Sequence, residues 1–176
     1  AEASEDIGQL VNNESIIKIF SNTHLNDGIK YITADIARLG NDKTVVFVWS
    51  GLRVIEVQTK NVSRVNESVD LITSLKNKYN VNTNNIIVDE DGVGGGVVDY
   101  LKCQGFVNNS RPVKVKGFSE NFSNLKTQCY YKLSEIINRN EIYINCSEKI
   151  EQLLTEELEW VRLPKEVDTS KISLLG

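Results

Sequence analysis

The sequence predicts an α/β fold with a central mixed sheet flanked by helices. Three observations point there. Three β-rich segments follow one another with only short turns between them. Helical periodicity then alternates with short apolar runs through the rest of the chain. One of those runs, Ile86-Ile87-Val88, passes through three acids and a glycine cluster into a helical pattern.

Residues 1–28 read as a polar lead-in or linker. A short helix is expected at Glu14–Phe20, where Ile16, Ile17 and Phe20 share a face and Asn13 is the candidate cap. "IKYITADIA" (29–37), "KTVVFVWS" (43–50) and "LRVIEVQT" (52–59) are rich in β-branched and aromatic residues. Gly40-Asn41-Asp42 and Ser50-Gly51 carry turn chemistry between them. Strands joined so closely form an antiparallel meander. Val69, Ile72, Leu75 and Tyr79 then fall at helical spacing over 66–79, with Asn66 as the expected cap. The strand "NIIVDE" (85–90) is apolar up to its acids. A helix over about 95–104, a strand "PVKVKGF" (112–118) and a helix over 124–139 complete the next units. A short strand "EIYI" (141–144) and a helix over 148–163 follow. No repeat or proline linker interrupts residues 29–176, which read as one domain. A right-handed crossover would set the fourth strand parallel to one of the first three. A meander followed by α/β units is the element order of the ribonuclease H-like fold.

Composition narrows the chemistry. The chain has 176 residues and a net charge of −4, which argues mildly against nonspecific affinity for DNA but suits a site that needs excess acids. No apolar run is long enough to span a membrane, and no secretory leader opens the chain. Cys103, Cys129 and Cys146 lie far apart with no CxxC pair, so they read as reduced structural thiols. His24 is the sole histidine, so a histidine zinc site or a Ser–His or Cys–His dyad would rest on that one residue. Methionine is absent even from position 1, as in an excised domain or a processed product.

The segment "NNIIVDEDGVGGGVVDYL" (84–101) holds the most informative chemistry. A strand, glycine loop and helix suggest a dinucleotide cradle, but Val97 stands where the third glycine is required. Asp89, Glu90 and Asp91 would also meet the pyrophosphate, and like charges about 4 Å apart repel by several kcal/mol at intermediate dielectric. No G-x-x-x-x-G-K-[ST] occurs either. Carboxylates beside a phosphate make sense once a divalent cation lies between them, since Mg²⁺ and Mn²⁺ take carboxylate, phosphate and water oxygens. A second acid must then converge, and Asp35 is the candidate, because an Asp in a core strand is costly unless paired or metal-bound. Adjacent strands would set Asp35 and Asp89 about 5 Å apart. Asp35 as a strand-end cap, and Asp91 as a turn former before Gly92, are the plainer alternatives.

Together, "DIARLGNDKTVV" (35–46), "IIVDEDGVGGGVVDYL" (86–101) and "NLKTQCYYKLSEIINRNEIYI" (124–144) resemble the nuclease domain of phage terminase large subunits. The resemblance covers roughly residues 29–176, and its most specific part is the glycine-rich second motif. It implies a ribonuclease H-like fold and an endonuclease that cleaves double-stranded viral DNA by two-metal-ion phosphodiester hydrolysis with Mg²⁺ or Mn²⁺. Asp35 and Asp89 match the first and second catalytic acids and metal ligands. Asp42 matches an accessory acid, and Asp91 is a further metal candidate. Lys114, Lys116 and Lys126 are candidate contacts to the DNA backbone. The family's third acid lies in a C-terminal motif that residues up to Gly176 do not match, so the domain is expected to lack its C-terminal end. Glu166 and Asp168 do not have that motif's surroundings. An adjoining ATPase domain, a terminase small subunit, a portal and a host-cytoplasmic setting, with no membrane association, are also implied. The rivals are another ribonuclease H-like nuclease, of resolvase or transposase type, and a non-catalytic assembly module of the same fold.

Overall fold

A computed structural model describes residues 8–37, 42–61 and 64–162. The Gly40-Asn41 turn, Glu166 and Asp168 lie outside the described residues. The chain forms two compact units, one from residues 24–107 and 144–146, the other from residues up to 23, 108–143 and 147 onward.

The first unit contains the sheet. Strands β1 (Lys30–Asp35), β2 (Thr44–Ser50) and β3 (Arg53–Lys60) form the expected antiparallel meander. Helix α2 (Val65–Tyr79) leads through a 3-10 turn at Thr83–Asn85 into β4 (Ile86–Asp89). Helix α3 (Gly94–Leu101) then leads into β5 (Gln104–Phe106). With β6 (Tyr143–Ile144) the strand order is β5-β4-β1-β2-β3-β6. Strand β4 lies parallel to β1, with Ala34 opposite Val88, and β5 lies parallel to β4. This mixed sheet with flanking helices is the ribonuclease H-like arrangement that the element order implies.

Alternation along the strands separates two faces. Ile32, Ala34, Val46, Val48, Ile86 and Val88 are buried on one of them. They join Val69, Ile72 and Leu75 of α2 and Val97 of α3 in a single core. The opposite face, which carries Thr33, Val45, Phe47 and Ile87, is only half-buried.

In the second unit, Asn12–Asn138 contacts tie the N-terminal segment to α4 (Leu125–Asn138). The Asn12 N–H donates to Asn138 Oδ1 at 2.9 Å, and Asn138 Nδ2 donates to the Leu10 carbonyl at 3.2 Å. Val11, Ile16, Ile19, Ile137 and Ile142 are buried there. Asn124 caps α4 through Oδ1, which accepts from the Thr127 N–H at 2.9 Å, and Ser147 caps α5 (Glu148–Glu159).

Several expected elements are corrected. Helix α1 covers Asn13–Lys18, so Asn13 is its first helical residue and not its cap. Helix α2 starts at Val65, which puts Asn66 inside it; the Glu67 carboxylate accepts the Arg64 N–H at 3.3 Å instead. Helix α3 begins one residue early and ends at Leu101, because Lys102 turns left-handed at φ 54°. The strand after it is β5, not "PVKVKGF". A Gln-Gly-Phe stretch carries little β signal, and its parallel pairing with β4 makes it a strand. Residues 112–118 contain only a tight turn, with Val115 bridged to Phe118. The "EIYI" strand shrinks to Tyr143–Ile144.

Candidate active site

The register of β1 against β4 ends at Ala34 opposite Val88, and each strand then finishes on an aspartate. Asp35 and Asp89 are therefore neighbours on one rim of the sheet. Alternation turns both away from the core-facing pair Ala34 and Val88. Both line a pocket of about 330 Å³ with Thr33, Ala34, Val45, Phe47, Ile87 and Phe106. Its walls are apolar, and its carboxylates sit at the strand ends. On the same face the indole N–H of Trp49 donates to Thr33 Oγ1 at 2.9 Å, and the Phe47 and Trp49 rings lie 6.0 Å apart.

The electrostatics follow from this placement. Asp35 is exposed as a residue, but its carboxyl has lost part of its hydration. That desolvation, then the charge of Asp89, then that of Asp42, raise its pKa above the ordinary carboxylate value. Asp42 thus belongs to the electrostatic surroundings of Asp35.

The three consecutive acids have three different surroundings. Asp89 faces the pocket, and its Oδ1 accepts the Asp91 N–H at 3.0 Å. This Asx-type turn orients the carboxylate and occupies one side of it. The Glu90 carboxylate lies over Gly105, where an added Cβ would meet Glu90 Oε2 at 1.8 Å. Glu90 thus covers the edge strand, while its own N–H donates to the Phe106 carbonyl at 2.8 Å. Asp91 is exposed at the turn. Gly92, at φ 81°, makes that turn, and Gly94 lets α3 start against the end of β4.

The structure thus brings Asp35 and Asp89 together and sets Asp42 within electrostatic reach. Among the described residues, no group of three or more His, Cys, Asp or Glu converges as a metal cage. Lys114, Lys116 and Lys126 are exposed and belong to the other unit. Cys103, Cys129 and Cys146 are in no disulfide, and burial pushes the Cys103 and Cys129 thiols up, so both resist becoming thiolates. His24 is exposed. Sequence reasoning missed the pocket lining. Thr33, two residues before Asp35, and Ile87, two before Asp89, were the available signal, since period-two spacing puts them on the same face.

No family model and no curated protein sequence matches the chain. Solved structures do. The nuclease domain of the large terminase subunit gp2 of bacterial virus Sf6 superposes with a TM-score of 0.80 at 17% identity, covering 95% of this chain and 87% of that one. The large terminase nuclease of thermophilic phage G20c gives 0.62 at 14% identity, covering 96% and 88%. The nuclease domain of Thermus phage P74-26 gives 0.57 at 14%, covering 92% and 83%. Structures of the Sf6 domain are described with manganese or calcium, and one of the G20c domain with magnesium. This chain has the ribonuclease H-like fold of those phage large terminase nuclease domains.

Proposed function

We propose that this chain is the nuclease domain of a DNA-packaging terminase and a metal-dependent endonuclease on double-stranded DNA. The observation that carries the proposal is the pairing of Asp35 and Asp89 at the ends of adjacent parallel strands, in a fold shared with such nucleases. Two half-solvated carboxylates that repel each other are poised for a hard divalent cation. Mg²⁺ and Mn²⁺ both suit oxygen donors of this kind. The donor set fits one such ion. A second would need a further ligand, for which Asp42, Asp91 or a DNA phosphate oxygen is the candidate.

When bound, the cation supplies Lewis acidity toward a phosphodiester and acidifies a water molecule. The chain's own residues do the rest. Asp35 and Asp89 provide the negative charge that selects a cation. The Asp91 N–H keeps the Asp89 carboxylate in one rotamer. Val45, Phe47, Ile87 and Phe106 make the wall beside the acids poor in water, which strengthens electrostatic interactions there. Lys114, Lys116 and Lys126 would hold the DNA backbone. The adjoining ATPase domain, small subunit, portal and host-cytoplasmic setting belong to the same proposal. Among the described residues, no helix is long and apolar enough to cross a membrane.

The test is nicking of supercoiled plasmid by the 176-residue chain with Mn²⁺, Mg²⁺ or EDTA, beside Asp35→Asn and Asp89→Asn. Feeble cleavage that needs the metal, is better with Mn²⁺ than with Mg²⁺ and disappears in both variants is expected, because the donor set fits one ion. Cleavage unaffected by either substitution would overturn the assignment. Metal binding without cleavage, in this chain and in one extended past Gly176, would favour a non-catalytic module of the same fold.

A further inference from the structure

The segment Val113–Phe118 has a construction that the nuclease reading does not require. Val115 and Phe118 exchange both backbone hydrogen bonds, at 2.9 and 3.0 Å. Between them Lys116 and Gly117 both have positive φ, 50° and 84°. That is a two-residue hairpin turn of the tight type I′ class. Among the described residues, a Cβ added to Gly117 would meet nothing within 4 Å, so the turn has open space beside it.

Its base is held. Gln128 of α4 is only 2% exposed, and its amide grips Val113 from both sides. Gln128 Oε1 accepts the Val113 N–H at 2.8 Å, and Nε2 donates to the Val113 carbonyl at 2.9 Å. The same Nε2 donates to Glu120 Oε2 at 2.8 Å, and Lys132 Nζ donates to Glu120 Oε1 at 2.7 Å. Helix α4 therefore clamps the chain on both sides of the tip.

The tip presents exposed apolar and basic side chains. Phe118 is 77% exposed and Val113 is 58% exposed. Arg111, Lys114 and Lys116 stand among them with no acid between residues 111 and 118. Neither Lys114 nor Lys116 is engaged by an acid among the described residues. In a chain of net charge −4, an unneutralised basic tip crowned by an aromatic ring complements a polyanion with apolar surfaces inside it. Duplex DNA has that chemistry: phosphates outside, with sugars and base edges in the groove.

We infer that the Val113–Phe118 hairpin is a DNA-gripping wedge, in which Lys114 and Lys116 contact phosphates and the Phe118 ring enters the groove. Gln128 would be its positioning residue. The inference takes its substrate class from the nuclease reading, but it concerns binding and not cleavage.

The experiment is fluorescence anisotropy with the whole chain and a labelled duplex in EDTA, across a salt series. Lys116→Asn tolerates positive φ and removes the charge; Lys114→Gln removes the other. Together they should weaken binding and lower the slope of log affinity against log salt by about 1.8, at 0.9 per lost phosphate contact. Phe118→Ala should weaken binding about tenfold and leave the slope unchanged. All three positions are exposed, and circular dichroism checks that the fold is retained. The Asp35→Asn, Asp89→Asn double variant loses two negative charges, so in EDTA it should bind at least as tightly as the parent and lose affinity on the same hairpin substitutions, which keeps failure of the cleavage chemistry distinct from failure of the wedge. Parental affinity and slope in the hairpin variants would overturn the wedge and leave the tip as a surface for a protein. Absence of duplex binding by the parent chain would overturn it too.

Discussion

Gly94 begins α3 so close to the end of β4 that a Cβ on it would lie 1.7 Å from the Asp89 carbonyl oxygen. The obstacle is backbone, so it cannot swing aside. Ordinarily Gly→Ala in a helix gains about 1 kcal/mol. At Gly94 the sign reverses, and overpacking should cost roughly 1–3 kcal/mol. At Gly95 the nearest atom is 3.6 Å away, an ordinary contact, so Gly95→Ala should be neutral or stabilising. Thermal melts of the two variants check the contrast. Gly94→Ala should also reduce Mn²⁺ affinity, because the β4–α3 turn that holds Asp89 must open.

Asp35→Asn should stabilise the metal-free chain at neutral pH. The Asp35 pKa is raised by desolvation, by Asp89 and by Asp42, so folding disfavours its ionised form. The penalty is present above the raised pKa and disappears as pH falls through it. A higher melting temperature for Asp35→Asn at pH 7 than for the parent, with the gap closing in acid, is the expected result. Equal melting curves at pH 7 would mean that folding does not disfavour the ionised Asp35 carboxylate, whether by desolvation or by its acidic neighbours.

Metal titration should give one ion for each chain. Two adjacent carboxylates hold one hard cation, while two dications about 4 Å apart repel strongly without further anionic ligands. Binding should be weak, tighter for Mn²⁺ than for Mg²⁺, and strengthened by duplex DNA that contributes phosphate oxygens. Electron paramagnetic resonance of Mn²⁺ counts the sites directly. A tight pair of sites without DNA would show that Asp42 or Asp91 already completes a second one.

Glu56 should make the fold acid-sensitive away from the candidate site. Burial alone would raise its pKa. Hydrogen bonds from Lys78, at 2.7 Å, from Tyr79 and from Gln58, at 2.6 Å, outweigh burial and hold it at about 2. These contacts fasten the end of α2 to β3. The folded pKa lies below the ordinary value of 4.5, so the stabilisation is complete above about pH 4.5 and is lost as pH falls toward 2. Glu56→Gln should lower the melting temperature at pH 7 by about 3 °C. The variant and the parent should converge near pH 2.

Local chemistry made much of this protein legible in the sequence. β-Branched alternation marks β1, β2 and β3, and period-3.6 spacing marks α2 and α4. The Asp35 and Asp89 candidates emerged because charges at the ends of apolar strands need an explanation. The helix starts that went astray, at Asn13 and Asn66, were shifted by one residue or two, since several polar residues there could serve as caps. Strand β5 escaped because Gln-Gly-Phe has almost no intrinsic preference and becomes a strand only through β4 beside it. "PVKVKGF" misled in the other direction: its alternation is real, but a Lys116-Gly117 turn and the Gln128 clamp make it a projecting tip. Which of Asp89, Glu90 and Asp91 faces Asp35 was also a tertiary decision. Strand register and pleat point Asp89 into the pocket, set Glu90 over Gly105 and leave Asp91 to supply an amide. Residue type determined that a charged rim and a glycine turn would exist. Pairing between segments about fifty residues apart decided which carboxylates meet, because direction across a sheet is set by register and not by local preference.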